Sequence, residues 1–272
     1  MVVGGAADSK SVHPMVYYHL GSYSRRRGDE AGARRWYELA SNADPDYCFP
    51  TRLYSILVLE DAMAVNPADP RAPYYLGNLF YDKKQYERAI SLWERARDLD
   101  PDFATVHRNL ALGYFNKRSD AESALASLEK AFACDPSDAR LLFELDQLRK
   151  RLGHAPQERL AALERHRELV EERDDLYTEF VTLHNQLGRH EEALGLLMRR
   201  RFYPWEGGEG KVTGQYVLSH VELAKQAIRE QRYAEAIDHL KQAQEYPANL
   251  GEGKLPIAEK NDTEYWLGVA YR

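Results

Sequence analysis

The side chains best placed to do chemistry in this chain sit in two short glycine-rich segments. Tyr203-Pro204 is followed after three residues by Gly208-Glu209-Gly210-Lys211, and 43 residues later Tyr246-Pro247 is followed after three by Gly251-Glu252-Gly253-Lys254. Glutamates and lysines carried on a glycine backbone can grip a polar ligand, and Trp205 beside the first copy offers a flat ring for stacking. Trp205, Glu209, Lys211, Glu252 and Lys254 are therefore a candidate loop site for a ligand or partner. The plainer reading is architectural, with glycines supplying unusual backbone angles and Glu–Lys pairs tying neighbouring loops together. A phosphate-binding P-loop is excluded, because Val212 follows Gly210-Lys211 and the first glycine of that motif would fall on Trp205.

Other reactive residue types form no chemical constellation. Nine histidines are present, but His190-Glu191-Glu192 lacks the second histidine of a zinc-hydrolase HExxH motif. His184 and His190 straddle a helix turn and read as solvated. Cys48 and Cys134 have neither metal-ligand nor CxxC spacing, and read as reduced thiols packed in helices. No catalytic, cofactor-binding or metal-binding residue is assigned, and the chain reads as a non-enzyme. The net charge of −6, from 37 basic and 43 acidic residues, argues against a general nucleic-acid surface. No apolar run approaches the ~20 residues that cross a bilayer, and residues 1–12 read as a flexible leader without signal-peptide blocks. Arg25-Arg26-Arg27 and Arg149-Lys150-Arg151 lie near expected helix ends, where they complement the helix dipole. The expected location is cytoplasmic, with neither membrane nor nucleic acid as partner.

The elements that position these residues follow from an internal period. Helical stretches stop at Pro45, Pro67, Pro101 and Pro136; the second gap is 34 residues and the third 35. Proline just past a helix end cannot continue the hydrogen-bond ladder. Between the stops, Leu76-Gly77 and Phe80 mark a first helix and Ala89, Trp93 and Ala96 a second, at spacings of three and four. This pattern resembles the tetratricopeptide repeat. It recurs with Gly21, Ala33, Tyr37 and Ala40; with Leu110, Ala111, Tyr114, Ala124, Leu128 and Ala131; with Gly188, Ala193 and Leu197; and with Leu223, Ala224, Ala236, Leu240 and Ala243. The expected fold is all-α, a right-handed superhelical solenoid of helix-turn-helix repeats over 13–272. Its units are about 14–47, a single helix at 51–65, 70–103, 104–138, a degenerate pair at 139–172, 174–200, 214–246 and a half repeat at 262–272. That uncovered half repeat leads to the expectation that the chain is a piece of a longer protein.

In such an array the first helices line the concave face. The register places Tyr18, Tyr74, Tyr75, Asn78, Tyr81, Arg108, Asn109, Phe115, Asn116 and Arg140 there as a candidate groove, with His19 beside them. Aromatics next to amides and arginines suit an extended peptide or a sugar. Asn78, Asn109 and Arg140 also fall where chaperone-binding tetratricopeptide proteins place part of a carboxylate clamp. Tyr74 stands in that pattern for a lysine and Glu144 for an arginine, and the glutamate would repel the ligand.

Ala72-Pro73-Tyr74-Tyr75-Leu76-Gly77-Asn78, Arg173-Asp174-Asp175-Leu176-Tyr177, the Phe202–Lys211 segment and Asn249-Leu250-Gly251-Glu252-Gly253-Lys254 together resemble the C-terminal repeat region of large bacterial proteins of unknown function. Those proteins carry an N-terminal β-sandwich similar to galactose mutarotase. The resemblance implies a link to carbohydrate, residing mainly in that other domain. The expected function is a non-catalytic binding or scaffold region for a protein or peptide, including its own N-terminal domain. The alternative is the helical part of a carbohydrate-processing enzyme, with Glu209 or Glu252 supplied from the paired loops.

Overall fold

Small residues at regular intervals let paired helices approach closely, and the resulting hairpins build the chain. The structure, a computed structural model, describes residues 12–253 and 261–272. Most of the expected leader, and Lys254 of the second loop, lie outside the described residues. Among those described there are fifteen α-helices and no strand. Their contacts group into two compact units, Met1–Pro136 and Ser137–Arg272.

In the N-terminal unit, α1 (Pro14–Arg26) pairs with α2 (Glu30–Ser41), α4 (Arg71–Asp82) with α5 (Tyr86–Leu99), and α6 (Ala104–Gly113) with α7 (Ala121–Cys134). The single helix α3 (Tyr54–Val65) stands between the first two pairs. Ala33, Ala89 and Ala124 of the second helices are fully buried, as are Ala40, Ala96 and Ala131. A Cβ added at Gly77 would come within 2.5 Å of the Trp93 indole, and one at Gly21 would collide with Tyr37. A glycine beneath an aromatic is thus the contact that sets the helix spacing in both pairs.

Each hairpin turns on one residue with left-handed backbone, the standard way to end a helix and satisfy its last carbonyls. Gly28, Gly153 and Gly188 fill this role, but so do Lys84, Ser119 and Gln231. At Lys84 the turn is closed by Gln85 N–H to the Phe80 carbonyl at 2.8 Å and Lys84 N–H to Tyr81 at 3.0 Å. Aspartates begin several of the helices: Asp29 accepts from Gly32 N–H, Asp120 from Ser123 N–H, and Asp138 from Arg140 and Leu141 N–H.

In the C-terminal unit, α8 (Ala139–Arg151) faces α9 (Pro156–Glu164) and α10 (Arg167–Glu172). The expected degenerate pair is therefore three helices, its second member broken at Arg165-His166. Arg159, 3% exposed, explains the lost repeat signal, because a buried guanidinium occupies the inner face of α9 among leucines and an alanine. Next come α11 (Asp174–Gln186) with α12 (His190–Arg199), and α13 (Lys211–Arg229) with α14 (Tyr233–Gln242). Helix α15 (Asn261–Ala270) packs on α13 and α14 and adds Ala270 to a core of Val221, Ala224, Ala227, Ala236 and Leu240.

Two expectations about single residues change. Cys48 is buried but lies in the loop before α3, so only Cys134 is helical. His184 is 5% exposed, its ring edge-on to Phe180, because it falls on the inward face of α11; His190 is half-buried and hydrogen-bonds Asn185.

Candidate functional site

The aromatic part of the groove expected on the N-terminal unit is packed away. Tyr18 and Tyr75 are fully buried and Tyr74 is 5% exposed. These three tyrosines sit between helices instead of lining an open face, since adjacent first helices meet there. Tyr18 donates to Asp69 at 2.7 Å, a buried carboxylate that also accepts the Arg71 and Ala72 N–H groups at the start of α4. Tyr74 packs against Phe103 at 4.8 Å between centroids. Asn78 is half-buried, its Oδ1 accepting from Trp93 Nε1 and from Asn109 Nδ2, both at 3.0 Å. Tyr81 lies between Tyr86 and Trp93. Arg108, Asn109 and Phe115 are half-buried and Asn116 is exposed, so these four remain at a surface. Arg140 belongs to the other unit, and its guanidinium is taken by Glu144 one turn on, at 3.0 Å. That pairing leaves the clamp pattern without its cation.

The C-terminal unit has an open concavity of about 290 Å³. Its walls are the first helices of three successive hairpins. Phe143, Gln147 and Lys150 come from α8, at spacings of four and three. Asp175, Thr178, Glu179 and Thr182 come from α11, and Lys211, Gly214 and Gln215 from α13. Such spacings put each set on one helix face. The loop before α13 closes one end with Trp205 and Gly210.

The acids of this groove are held in ion pairs. Glu179 accepts from Lys150 at 2.8 and 2.9 Å and from Arg159 at 2.7 Å. Arg159 in turn grips Asp146 with two hydrogen bonds, at 3.0 and 2.6 Å. Burial pushes the Glu179 carboxyl up, but the hydrogen bonds from Lys150 and Arg159 outweigh it and leave the group below its ordinary value. For Asp146, burial wins over the Arg159 contact and the carboxyl is raised. Asp175 is bound by Arg173 at 3.0 and 2.7 Å. The hydroxyls of Thr178 and Thr182 donate to the carbonyls of Asp174 and Thr178 within α11. Lys211 carries no carboxylate partner among the described residues.

The two glycine-rich loops clasp each other. Phe202 N–H donates to the Asn249 carbonyl at 2.8 Å, and Asn249 Nδ2 donates to the carbonyls of Leu197 and Arg200 at 3.0 and 2.9 Å. Asp174 holds the first loop from the other side through Tyr203 N–H at 2.9 Å. Glu252 reaches across to the start of α13, accepting from Gly210 N–H at 3.1 Å with both oxygens and from the Thr213 hydroxyl at 3.1 Å. A carboxylate there satisfies orphan donors and complements the helix dipole. Gly251, in left-handed conformation, lies so close to the Phe202 carbonyl that any Cβ would collide with it.

The five loop candidates therefore separate. Trp205 and Lys211 line the groove, Trp205 resting on Gly208. Glu252 is a helix cap, and Glu209 is exposed, accepting only from nearby Gly207 N–H at 3.4 Å. The duplicated sequence does not repeat its conformation, since Gly207 and Gly210 are left-handed in the first loop and Gly251 in the second. Sequence reasoning missed the α8 wall because the repeat pattern lapses over 139–172, although Phe143, Gln147 and Lys150 keep the spacing of one helix face. The α11 wall was missed although the pattern resumes at 174, because only its packing positions were read.

A family model described as TPR repeat matches residues 77–118. That stretch is similar to a tetratricopeptide repeat. It runs from the middle of α4 through α5 and α6 to Arg118. Among solved structures, the chain is similar to YrrB, described as a TPR protein with an unusual peptide-binding site. Identity is 21%, covering 68% of this chain and 90% of that one, with a TM-score of 0.49. It is also similar to MamA at 17% identity, covering 75% and 91%, TM-score 0.44, and to MamA from AMB-1 at 20%, covering 68% and 88%, TM-score 0.45. Among the described residues no group of three or more His, Cys, Asp or Glu is placed to hold a metal ion, and no helix is long and apolar enough to cross a membrane.

Proposed function

We propose that this chain is a non-catalytic binding scaffold whose C-terminal unit holds an extended segment of a protein partner in the groove of α8, α11 and α13. The observation that carries this reading is the alignment of three first-helix faces into one concave wall, with Trp205 at its end. Amides, hydroxyls and ion-paired acids alternate with Phe143 and Trp205, as recognition of a peptide backbone and its side chains requires. A general acid or base must exchange its proton during turnover, whereas Glu179 and Asp175 are each fixed by arginine or lysine. A β-sandwich domain of a longer parent, implied by the family resemblance, is one partner of this kind.

A second reading places a sugar in the same groove, as the helical part of a carbohydrate-processing enzyme whose catalytic domain lies outside this chain. Trp205 favours it, since an indole beside amides and hydroxyls is a stacking platform for a sugar ring.

A random 12-residue peptide display library panned on the chain, beside a glycan array, tests both. Peptides that bind wild type and lose at least tenfold in affinity on Thr182→Arg, which fills the groove, are the expected result. A selection in which no peptide loses affinity on Thr182→Arg would overturn the peptide reading. Glycan binding abolished by Trp205→Ala would replace it with the second.

A further inference from the structure

An exposed apolar region lies elsewhere, on the N-terminal unit. Helix α3 begins Tyr54-Ser55-Ile56-Leu57-Val58-Leu59 and is apolar nearly all round. A helix of that composition is normally covered on every side. Only the face of Ser55, Val58, Leu59 and Ala62 is buried here. On the opposite side Leu57 is 57% exposed, Tyr54 45% and the adjoining Leu53 65%, and Tyr23 of α1 is 58% exposed. Single exposed apolar residues are ordinary, but a run of them marks a contact surface.

Three arginines and a histidine surround this face. The Arg26 guanidinium lies 5.3 Å from the Tyr54 ring centroid, and that of Arg27 lies 5.6 Å from Tyr23. His19 stacks parallel to Tyr54 at 5.9 Å on the same side. Arg52 immediately precedes Leu53. Arg26, Arg27 and Arg52 pair with no carboxylate among the described residues, whereas the acids nearby are in use. Asp61 is taken by Arg25 and Tyr37, Glu30 lies 3.9 Å from Arg25, and Glu60 lies 4.0 Å from Arg88. In a chain with a net charge of −6, three unpaired arginines beside one apolar face are a local reversal of sign. An apolar centre edged by arginine is the usual anatomy of a protein interface.

We propose that this face docks an acidic amphipathic helix of another protein. Its large apolar side chains would lie on Leu53, Tyr54 and Leu57, with its aspartates or glutamates reaching Arg26, Arg27 and Arg52. Anchors spaced three and four residues apart match the helix-in-groove mode of recognition. The acidic residues supply the charge that the arginines lack and set the salt dependence of association. This surface is separate from the C-terminal groove, so either reading stands if the other fails.

The test pans the random 12-residue library on the Thr182→Arg chain, whose C-terminal groove is filled, and then measures the selected peptides, fluorescein-labelled, by anisotropy against the wild-type chain and two variants. Leu57→Glu places a charge in the apolar centre at an exposed position, and its circular dichroism checks that the fold is kept. Arg26→Glu combined with Arg52→Glu reverses the edge. Selected peptides should combine Leu, Phe or Trp with Asp or Glu and lose at least tenfold in affinity on Leu57→Glu. Lysine-substituted versions of the same peptides should bind the double arginine variant better than wild type. Four results would overturn the proposal: no enrichment on the Thr182→Arg chain, basic consensus peptides, equal binding to Leu57→Glu, or self-association in sedimentation velocity that Leu57→Glu disperses. The last would make the occupant a second copy of this chain.

Discussion

Gly251 and Gly253 are two residues apart in the same GEGK segment, yet they stand in opposite situations. Gly251 has φ +75° and its backbone touches the Phe202 carbonyl, whereas a Cβ at Gly253 would meet nothing within 4 Å. Gly251→Ala should therefore destabilise the C-terminal unit by about 1–3 kcal/mol, from backbone strain and displacement of the loop. Gly253→Ala should lie within about 0.5 kcal/mol of wild type. Urea midpoints at constant m-value separate the two, and equal losses would mean that the loops do not clasp as described. The sequence displayed both glycines equally, because their difference depends on a chain segment about fifty residues away. Gly77 was legible for the opposite reason. Its aromatic lid, Trp93, lies within the same hairpin and recurs as Tyr37 over Gly21. Glu252 shows the limit most clearly, since its type suggested ligand chemistry while its position makes it the cap of α13.

Helix ends and helix pairs were legible where repeat period and punctuation agreed, as at Pro67, Pro101 and Pro136. They were not where a buried charge replaced an apolar residue, as Arg159 does on α9. Turn residues offer a test at this scale. Lys84 has φ +60° in the turn between α4 and α5, a conformation that costs a residue with a Cβ about 1 kcal/mol. Lys84→Gly should raise stability by about that amount, read as a higher urea midpoint, whereas Gly28→Ala in the equivalent turn should lower it. Within the α13–α14 hairpin, His220 and His239 share a hydrogen bond between their Nδ1 atoms at 3.0 Å, with the Tyr216 ring 4.5 Å from His220. Burial, reinforced by His239, pushes His220 down to about 4, while Asp238 acts the other way. A base with a lowered folded pKa binds fewer protons than the unfolded chain, whose histidines titrate near 6.5. Its stabilising share is thus complete above roughly pH 6.5 and drains away as the pH falls towards 4. His220→Phe should lose roughly 2–3 kcal/mol less than wild type between pH 7.5 and 4.5. An unchanged pH dependence would show that His220 is not held neutral.

Across the whole molecule, a repeat architecture distributes stability among neighbours instead of one centre. Leu240 is fully buried in the core beneath α15, and Leu240→Ala should cost about 2–5 kcal/mol there. Hydrogen exchange should quicken in α13, α14 and α15 and stay unchanged in α4 to α7, which belong to the other compact unit. Uniform acceleration would show the units to be one cooperative block. The cap supplied by Glu252 has a further consequence when the chain is made from its N-terminus. Helix α13 starts at Lys211, but the carboxylate that completes its first turn is 42 residues downstream of the Gly210 amide it accepts from. At ordinary rates of synthesis that carboxylate arrives roughly 2–8 s after the amide. Until then the α13 start has a donor open to water, and the last hairpin waits for a residue not yet translated.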